Sequence, residues 1–466
     1  MSNIPRGQAL ARYVATGRGR LYPEAVLHEA RRALVDTLGL MLVAAHDEPV
    51  EPVRRTVERW QAHGDARIVL GGTTTPALAA LINATAVHAM DFDDVHYLGA
   101  GHLSGPCWSS ALAMGRAYGA LEQDILSAFL TGFEVMARLG GGGVPGVGRS
   151  LQRRGFHPTS VVGRMGAAAT ASVIHALDEE RALHALSHAG TTAGGLLASF
   201  GTHGKPFHSG KAAMDGILAA DIAADGYIGA KVMFEEHGGW LDAFIQDHQV
   251  EIPPVDDFES NHEILRNGYK ILASCRGTHA ATQAAQELAG QIAGRTIRHV
   301  KVFVHPGALV TAGKRAPETC LDAKFSVSFC VAMGLLGYRL AFSDFTSALM
   351  RRGDLAELEQ RVELVVVQGQ SPASSQVEVG LDDGSLLSGR TEIMAGHPDN
   401  PVGDKVLADK FLGLAAPVIG DAAANELLQA AWNFGTPGTL ALVDRLIAGN
   451  SRDIARFYSL TRAASE

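Results

Sequence analysis

The spacing of apolar residues changes once along this chain, near residue 265, and that change limits the folds open to it. Before this point, Ala- and Leu-rich segments carry apolar residues at helical spacing. These segments predict helices over 24–45, 77–92, 106–119, 121–139, 160–176, 179–200 and 210–225. After it, the residues over 295–307 alternate with a period of two, which is typical of a strand.

The alternating pattern continues as a second strand over 361–369 and a hairpin over 375–394, with Asp383 and Gly384 at the hairpin turn. Helical patterns lie before and between these strands, at 276–291 and 322–340, and helical character returns from Asp404. We therefore predict a mainly α protein with an α+β part. The predicted domains are a large helical domain built from both chain ends, 1–264 and 400–466, and a smaller inserted α+β lid domain, 265–399.

Composition excludes several classes of partner. The chain has 466 residues and a net charge of −9, and no run of Lys and Arg provides the basic face that nucleic acid requires. The N-terminus lacks the apolar region of a secretory signal, and the apolar run at 33–45 is too short to span a membrane. The four cysteines form no CxxC pair, so we expect reduced thiols in a cytoplasmic protein.

An acidic cluster follows the predicted helix 77–92. Asp91 lies three residues after His88, which places both on one helix face if the helix continues. Asp93 and Asp94 follow, and crowded carboxylates raise one another's pKa, so one of them can hold a proton near neutrality. His102 comes next, in a Gly-rich loop. The alternative is an acidic helix end with solvated charges.

Two further segments, GFHPT at 155–159 and GTHGKPFHSGKAA at 201–213, carry bases and cations beside prolines. Pro158 disfavours helical geometry at His157, and Thr159 or Ser160 is a candidate cap for the next helix. Lys205 also precedes a proline, so we expect it outside a helix, with Lys211 in the first turn of the helix that follows. That helix start and Lys205 can receive a carboxylate. The alternatives are a histidine bonded to backbone and a solvated lysine.

A fourth segment, YKILASCRGTHAATQAA at 269–285, contains Lys270, Arg276 and His279 at the entry to the lid domain. One of them can close over an anionic substrate, and the alternative is a surface loop. We predict no metal site, because His203 and His208 are five residues apart rather than four and no second acidic magnesium motif follows.

The blocks HAMDFDD, GFHPT, KPFHSGKAAMDG, YKILASCRGTHAA and HPDNPVGDKVLADKF occur in this order. The chain thereby resembles the MmgE/PrpD family, which includes 2-methylcitrate dehydratases, cis-aconitate decarboxylases and iminodisuccinate epimerases. The resemblance implies a helical domain with a lid domain, a homodimer, no metal or organic cofactor, and a substrate site between the domains. It places in that site Asp91, His102, His157, Lys205 and Lys270. We further expect His208, Lys211, Arg276 and His279 to bind substrate.

This sequence departs from the family pattern in several places. Val95 stands where the family often has Thr, Leu103 follows His102 in place of Pro, and Phe329 replaces a common Tyr. Cys275 aligns with a histidine of the cis-aconitate decarboxylases. The loss of a hydroxyl and a histidine counts against decarboxylation.

The implied chemistry takes place at a carbon next to a carboxylate. A base removes the proton, and fixed cations stabilise the resulting enediolate. His157 or His102 is the candidate base, and Lys205 with Lys270 or Arg276 is the candidate cation set. Asp91 either orients a histidine or acts as the acid. We expect a cofactor-independent lyase that acts on a small di- or tricarboxylate. Dehydration of the 2-methylcitrate dehydratase type is the first candidate reaction. Epimerisation of an iminodisuccinate-like dicarboxylate, cis-aconitate-type decarboxylation and a non-catalytic helical binding protein are the alternatives.

Overall fold

The computed structural model describes residues 4–450, except 100, 142–145, 236–237, 247–249, 251, 253 and 293. The described residues divide into two compact units. The first unit contains those of 1–89, 93–268 and 403–455, and the second contains those of 90–92 and 269–402. The domain bounds given above, which differ from these by a few residues, stay a prediction.

The first unit is helical. Its α-helices are Arg6–Ala15, Glu24–Val43, Glu51–Trp60, Pro76–Ala89, Ser104–Ala117, Glu122–Gly140, Val147–Arg153, Pro158–Ile174, Glu179–Thr191, Gly204–Ala224, Trp240–Phe244, Asp404–Ile419, Asp421–Trp432 and Thr439–Ile447. Short 3-10 helices span Leu197–Ser199 and Glu263–Arg266. Two small antiparallel pairs join Ala66–Arg67 to Thr73–Thr74 and Val95–His96 to Asn267–Gly268. The mainly α character predicted from the sequence is confirmed.

The observed helices differ from the predicted bounds by a few residues, and two helices of the first unit differ most. The helix expected over 179–200 ends at Thr191, just before Gly194 and Gly195, and Gly195 has a φ of 122° that favours glycine. The helix expected from residue 210 begins at Gly204 and includes Pro206. A proline is tolerated in the first helical turn because its missing N–H has no partner there in any case.

The Gly204–Ala224 helix packs closely against two others through glycines. A Cβ at Gly210 would lie 2.1 Å from Thr85 Oγ1 and 2.2 Å from the carbonyl oxygen of Leu81, both in the Pro76–Ala89 helix. A Cβ at Gly216 would lie 2.4 Å from the Ala167 Cβ in the Pro158–Ile174 helix. Only glycine therefore permits these helices to approach as they do, and all three carry site residues.

The two ends of the chain meet in the first unit. The Asp404–Ile419 helix packs on the Glu24–Val43 helix, where a Cβ at Gly39 would already lie 3.2 Å from the ring of Phe411. Lys410 and Asp36 form a buried ion pair at 2.6 Å between these helices. Within the described residues, no helix has both the length and the apolar character needed to cross a membrane.

A buried charge network holds the Glu263–Arg266 segment on the Glu122–Gly140 helix. The carboxylate of Glu134 accepts hydrogen bonds from the backbone N–H groups of Glu263 and Ile264, each at 3.0 Å. Arg138 donates to the carboxylate of Glu263 at 3.1 Å. The network thereby fixes Asn267, which contacts the candidate site described below.

The second unit is an α+β fold, as expected. Its sheet has the strand order Val362–Val366, Ile297–Val304, Ser375–Leu381, Leu386–Thr391. The first pair is parallel and the others are antiparallel. The α-helices of this unit are Arg276–Ile292, Pro306–Ala312, Cys320–Ala323, Val327–Leu335, Ser347–Met350 and Gly353–Gln360, and a 3-10 helix spans Phe342–Asp344. The Arg276–Ile292 helix packs on the antiparallel strands and on Val327–Leu335.

Candidate active site

Separate segments of the first unit bring histidines to one place. His88 lies in the last turn of the Pro76–Ala89 helix, and His102 precedes the Ser104–Ala117 helix. His157 caps the Pro158–Ile174 helix, and His208 lies in the second turn of Gly204–Ala224. The ring of His88 lies 4.4 Å from that of His102 and 5.6 Å from that of His157, between centroids. The cluster therefore depends on the close helix packing through Gly210 and Gly216.

Asp93 is the anion of this cluster. Its Oδ2 lies 2.8 Å from Nδ1 of His88, and its Oδ1 lies 3.1 Å from Nδ1 of His102. An ionised carboxylate only accepts, so the neutral imidazole of His88 donates its Nδ1–H to Asp93 and carries its lone pair on Nε2. Burial opposes ionisation of Asp93, but His102 and His88 outweigh it and hold the pKa well below the usual value. Asp93 thus sets the tautomer of His88 and forms an ion-pair contact with His102.

The neighbouring Asp94 behaves in the opposite way. It accepts hydrogen bonds from the hydroxyl of Ser104 and, at 2.6 Å, from Nδ2 of Asn267. Burial, together with the charge of Asp36, raises the pKa of Asp94 to about 7 in spite of these donors. The expectation that one carboxyl of the cluster holds a proton near neutrality therefore fits Asp94.

His157 is held outside the helix that it precedes, as expected from Pro158. Its φ and ψ are −88° and 109°, and its backbone N–H donates to the Gly195 carbonyl at 3.0 Å. Nδ1 of His157 lies 3.0 Å from Nδ1 of His208. Burial is the main cause that lowers the pKa of His157 well below its usual value, and nearby His88 and Lys205 add to the effect. His157 is therefore a neutral base at pH 7.

Lys205 lies in the first helical turn rather than outside a helix, for the reason given above for Pro206. Its side chain is buried, 4% exposed, and its Nζ lies 5.2 Å from the ring centroid of Phe200. The pKa of His88 is lowered to about 3, mainly by burial. Asp93 opposes this shift, and the positive charge of Lys205 adds to it. Lys205 is thus a buried cation beside neutral imidazoles.

Thr159 does not cap its helix with its side chain. Its Oγ1 accepts from the backbone N–H of His102 at 3.0 Å, which ties the His102 loop to the helix of His157. The cap position is His157 itself, without a side-chain hydrogen bond. The expected capping role of Thr159 or Ser160 is wrong, because the hydroxyl of Thr159 is used between segments and Ser160 lies within the helix.

Lys211 lies in the third turn of Gly204–Ala224 rather than in the first, because the helix begins earlier than predicted. Its ammonium is paired with Asp215, which also accepts from Nε of Arg164 at 2.9 Å. Arg164 further donates to Ser160 Oγ at 3.1 Å and to the Gly194 carbonyl at 2.8 Å. The charge of Arg164 is the next cause after burial that lowers the pKa of His208, to about 4.

In the second unit, Asp91 and Lys270 form a buried ion pair. Nζ of Lys270 donates to Oδ1 of Asp91 at 2.9 Å and to its carbonyl oxygen at 2.6 Å. Asp91 has a φ of 51°, in the left-handed region that aspartate tolerates better than most residues. The helix of His88 ends at Ala89, so the expected shared helix face of His88 and Asp91 is wrong, and the partner of His88 is Asp93.

His279 and Arg276 begin the Arg276–Ile292 helix of the second unit. Nε2 of His279 donates to the Ser274 carbonyl at 3.2 Å, and burial, then the charge of Lys270, lowers the pKa of His279 to about 3. Of the positions that depart from the family pattern, Cys275 and Phe329 are buried in this unit. Val95 is buried in the first unit, where it pairs with Gly268. The four cysteines are free thiols.

The residue types around Asp93 also occur in metal sites. His88, Asp93 and His102 offer ligand atoms within 4.8 Å of one another. Nδ1 of His88 donates to Asp93 at 2.8 Å, and Nδ1 of His102 lies 3.1 Å from the same carboxylate, so these groups already contact one another without a cation. His203 and His208 are not part of this group, and the absence of a metal stays a prediction.

Three residues of this site were not singled out from the sequence as functional: His88, Asp93 and Arg164. His88 and Asp93 were visible only as part of an acidic helix end, and their spacing of five residues is not a helical spacing. Arg164 lies seven residues after His157, two helical turns along the Pro158–Ile174 helix. That spacing places both on one face and was an available signal.

Comparisons with known proteins cover most of the chain. The family model of the MmgE/PrpD N-terminal domain matches residues 8–253, and that of the MmgE/PrpD C-terminal domain matches residues 272–434. The chain is 26% identical over 443 residues to cis-aconitate decarboxylase of Homo sapiens, with 91% of each chain covered. It is 24% identical over 449 residues to that of Mus musculus, with 92% of this chain and 90% of the relative covered. It is 24% identical over 442 residues to that of Aspergillus terreus, with 87% and 88% covered.

Proposed function

Because the chain belongs to the MmgE/PrpD family, and is therefore an enzyme of the lyase type, we propose that it acts on a small di- or tricarboxylate. The proposed first step removes a proton from the carbon next to a carboxylate, without a metal or organic cofactor. The first candidate reaction is dehydration of a 2-methylcitrate-like hydroxy acid. The observation that carries the proposal is the buried neutral imidazole of His157 in a cluster with the cation Lys205.

A base must be unprotonated at the working pH to take a proton from carbon. Burial is the main cause that lowers the pKa of three histidines. The pKa of His157 lies well below its usual value, that of His88 is about 3, and that of His208 is about 4. All three rings are therefore neutral near pH 7. A cluster of neutral imidazoles favours proton abstraction as the first step over proton donation.

Negative charge moves onto the substrate carboxylate as the proton leaves. Lys205 is a buried cation, and an ammonium in a site of low dielectric stabilises an enediolate better than one in water. We assign Lys270, Arg276, His279 and Lys211 to substrate binding on the family resemblance. Asp91, which pairs with Lys270, keeps its proposed role as an orienting group or acid.

Dehydration then requires that the hydroxyl on the neighbouring carbon leaves as water. His102 is our candidate acid: in its protonated form, with Nδ1 against Asp93, it carries a second proton on Nε2 for the leaving hydroxyl. In this scheme, the electron pair of the broken C–H bond forms the alkene as the C–O bond breaks. The hydroxyl leaves as water with the proton of His102. His157 then releases its proton and His102 takes one up, so that the net products are the alkene and one water.

A second candidate is cis-aconitate-type decarboxylation, which the printed names of the relatives favour. Here the C–C bond to a carboxylate breaks, CO₂ leaves, and the carbanion must take a proton. The aligned Cys275 in place of a histidine counts against this reaction. We also propose a cytoplasmic homodimer, and sedimentation velocity of the purified protein tests the dimer.

Proton NMR in D₂O with 2-methylcitrate, citrate, cis-aconitate and both iminodisuccinate stereoisomers tests the proposal. A new vinylic signal from a hydroxy acid supports dehydration, and loss of CO₂ from cis-aconitate supports the second candidate. Deuterium at the α-carbon of recovered substrate without an alkene would indicate an epimerase. A parallel reaction with EDTA tests the absence of a metal, and turnover of nothing in the panel would contradict the proposed substrate class.

The base is tested by His157→Ala, which should lower kcat by about 10²–10⁴-fold, the usual contribution of general base catalysis. His203→Ala is the matched control, because His203 is exposed and lies in a neighbouring loop. Near-normal turnover of the His157 variant would remove His157 from the mechanism.

A further inference from the structure

We propose that His157 and His208 form a two-imidazole proton relay between the reacting carbon and solvent water, with His208 as the outer member. This gives His208 a role in proton transfer through His157 in place of the expected role in substrate binding. The inference rests on the proposed function, since it takes His157 as the group that exchanges a proton with substrate.

The contact between the two rings has the geometry of a hydrogen bond that can carry a proton. Nδ1 of His157 lies 3.0 Å from Nδ1 of His208, and the ring centroids are 5.2 Å apart. One nitrogen must donate and the other accept. If His157 carries its proton on Nδ1, its Nε2 is the basic atom. His208 then accepts at Nδ1 and carries its own proton on Nε2.

The two histidines differ in their access to water. His157 is 2% exposed, whereas His208 is half-buried. A base as buried as His157 has little direct contact with bulk water. His208 is the ring bonded to its Nδ1, so it offers a path outward.

The backbone fixes both members. The N–H of His157 is bonded to the Gly195 carbonyl, and Pro158 restricts its conformation. A Cβ at position 195 would lie 2.3 Å from Ser160 Oγ and 3.4 Å from Nε2 of His208. The glycine there, at a φ of 122°, keeps a side chain away from the nitrogen that must face water.

Burial and nearby positive charges both disfavour a protonated ring in this pair. Burial is the main cause that lowers the pKa of both histidines. Arg164 and Lys205 add to the effect on His208, and His88 and Lys205 add to the effect on His157. A relay requires this, because a histidine with a high pKa would hold the proton and stop turnover.

The proton transfers balance in both directions. When Nε2 of His157 takes the proton from carbon, the electron pair stays on the enediolate. The Nδ1 proton of His157 passes to Nδ1 of His208, and His208 releases its Nε2 proton to water. For a decarboxylation the flow reverses, and one proton from water reaches the carbanion for each CO₂ released.

The test compares His208→Gln with His208→Ala in the full-length enzyme. Glutamine keeps a hydrogen bond to Nδ1 of His157 but cannot relay, whereas alanine removes both functions. The measurements are kcat, KM and the rate at which the substrate C–H exchanges with D₂O, using a substrate that the wild-type enzyme turns over. His203→Gln serves as the control in the neighbouring exposed loop.

We expect both variants to lose at least about tenfold in kcat and in C–H exchange, with KM within about threefold of wild type. Added imidazole should restore exchange in the alanine variant, where a cavity is left, and not in the glutamine variant. Normal exchange in His208→Gln would reduce His208 to a positioning residue and overturn the relay. A raised KM at unchanged kcat would contradict the relay and would indicate that His208 binds substrate. Inactivity of the wild-type enzyme on the whole panel would instead refute the proposed function.

Discussion

Asp93→Asn should abolish most turnover although it changes only one atom of a buried side chain. In the wild-type protein, the carboxylate accepts from Nδ1 of His88 at 2.8 Å, and its other oxygen lies 3.1 Å from Nδ1 of His102. An asparagine has one carbonyl oxygen and one amide group. It can accept from one histidine, but its amide group then faces Nδ1 of the other, which cannot keep a proton there.

The size of the effect follows from these bonds. A hydrogen bond to a charged group contributes about 1.5–3 kcal/mol, and a neutral one about 1 kcal/mol. The substitution replaces two charge-assisted contacts by neutral ones and leaves one histidine in the wrong tautomer. The interactions that orient the two histidines thereby lose about 2–4 kcal/mol of free energy. At about 1.36 kcal/mol per tenfold, kcat should fall roughly 30- to 1000-fold.

Asp94→Asn is the matched control, with the same substitution at the next residue. The pKa of Asp94 is raised to about 7, so its carboxyl is largely neutral at pH 6, and asparagine can still accept from Ser104 and Asn267. We expect kcat within about threefold of wild type for this variant at that pH.

The assay is steady-state turnover of the active panel substrate at pH 6, with thermal melting to separate a folding defect from lost catalysis. Nitrogen-15 NMR of labelled histidines reports the tautomers directly. The reasoning is refuted if Asp93→Asn keeps more than a third of wild-type kcat, or if Asp94→Asn is equally damaging.

Further predictions concern pH and packing. The pKa of Asp94 in the folded protein, about 7, is above its ordinary value of 3.8, so the stability that its protonated carboxyl contributes is lost as pH rises through 7. The melting temperature of Asp94→Asn should therefore depend less on pH between 5 and 8 than that of the wild type. Because the pKa of His157 is lowered, kcat/KM should stay constant from pH 7.5 to 6.5 and fall only at lower pH, as the base is protonated; an acid limb centred at 6.5 would argue against His157. Gly210→Ala should cost about 1–3 kcal/mol by chemical denaturation, since its Cβ would overlap Thr85, whereas Gly413→Ala, which faces open space, should stabilise by up to about 1 kcal/mol.

The sequence predicted features that depend on neighbouring residues. Pro158 acts on the residue before it, so the extended conformation of His157 was predictable, and so was the hairpin turn at Asp383 and Gly384. Lys205 shows the limit of this reasoning. The same proline effect was expected there, but Pro206 falls in a first turn, where a helix accepts it.

The arrangement of the cluster depends on contacts that no local pattern reveals. His157 and His208 are separated by 51 residues and meet because two glycines permit close helix packing. Asp93 binds His88 because the helix ends at Ala89 and the chain turns through Asp91 at positive φ. A prediction that continues the helix pairs His88 with Asp91 in place of Asp93.

The buried pair of Asp36 and Lys410 has a consequence for synthesis on the ribosome. The first unit needs the Asp404–Ile419 helix against Glu24–Val43, so its core cannot close until residues beyond 419 have left the exit tunnel. By then all of 269–402, the main part of the second unit, has already emerged. The apolar faces of the early helices therefore stay exposed during this part of synthesis, and this exposed apolar surface is what chaperones bind.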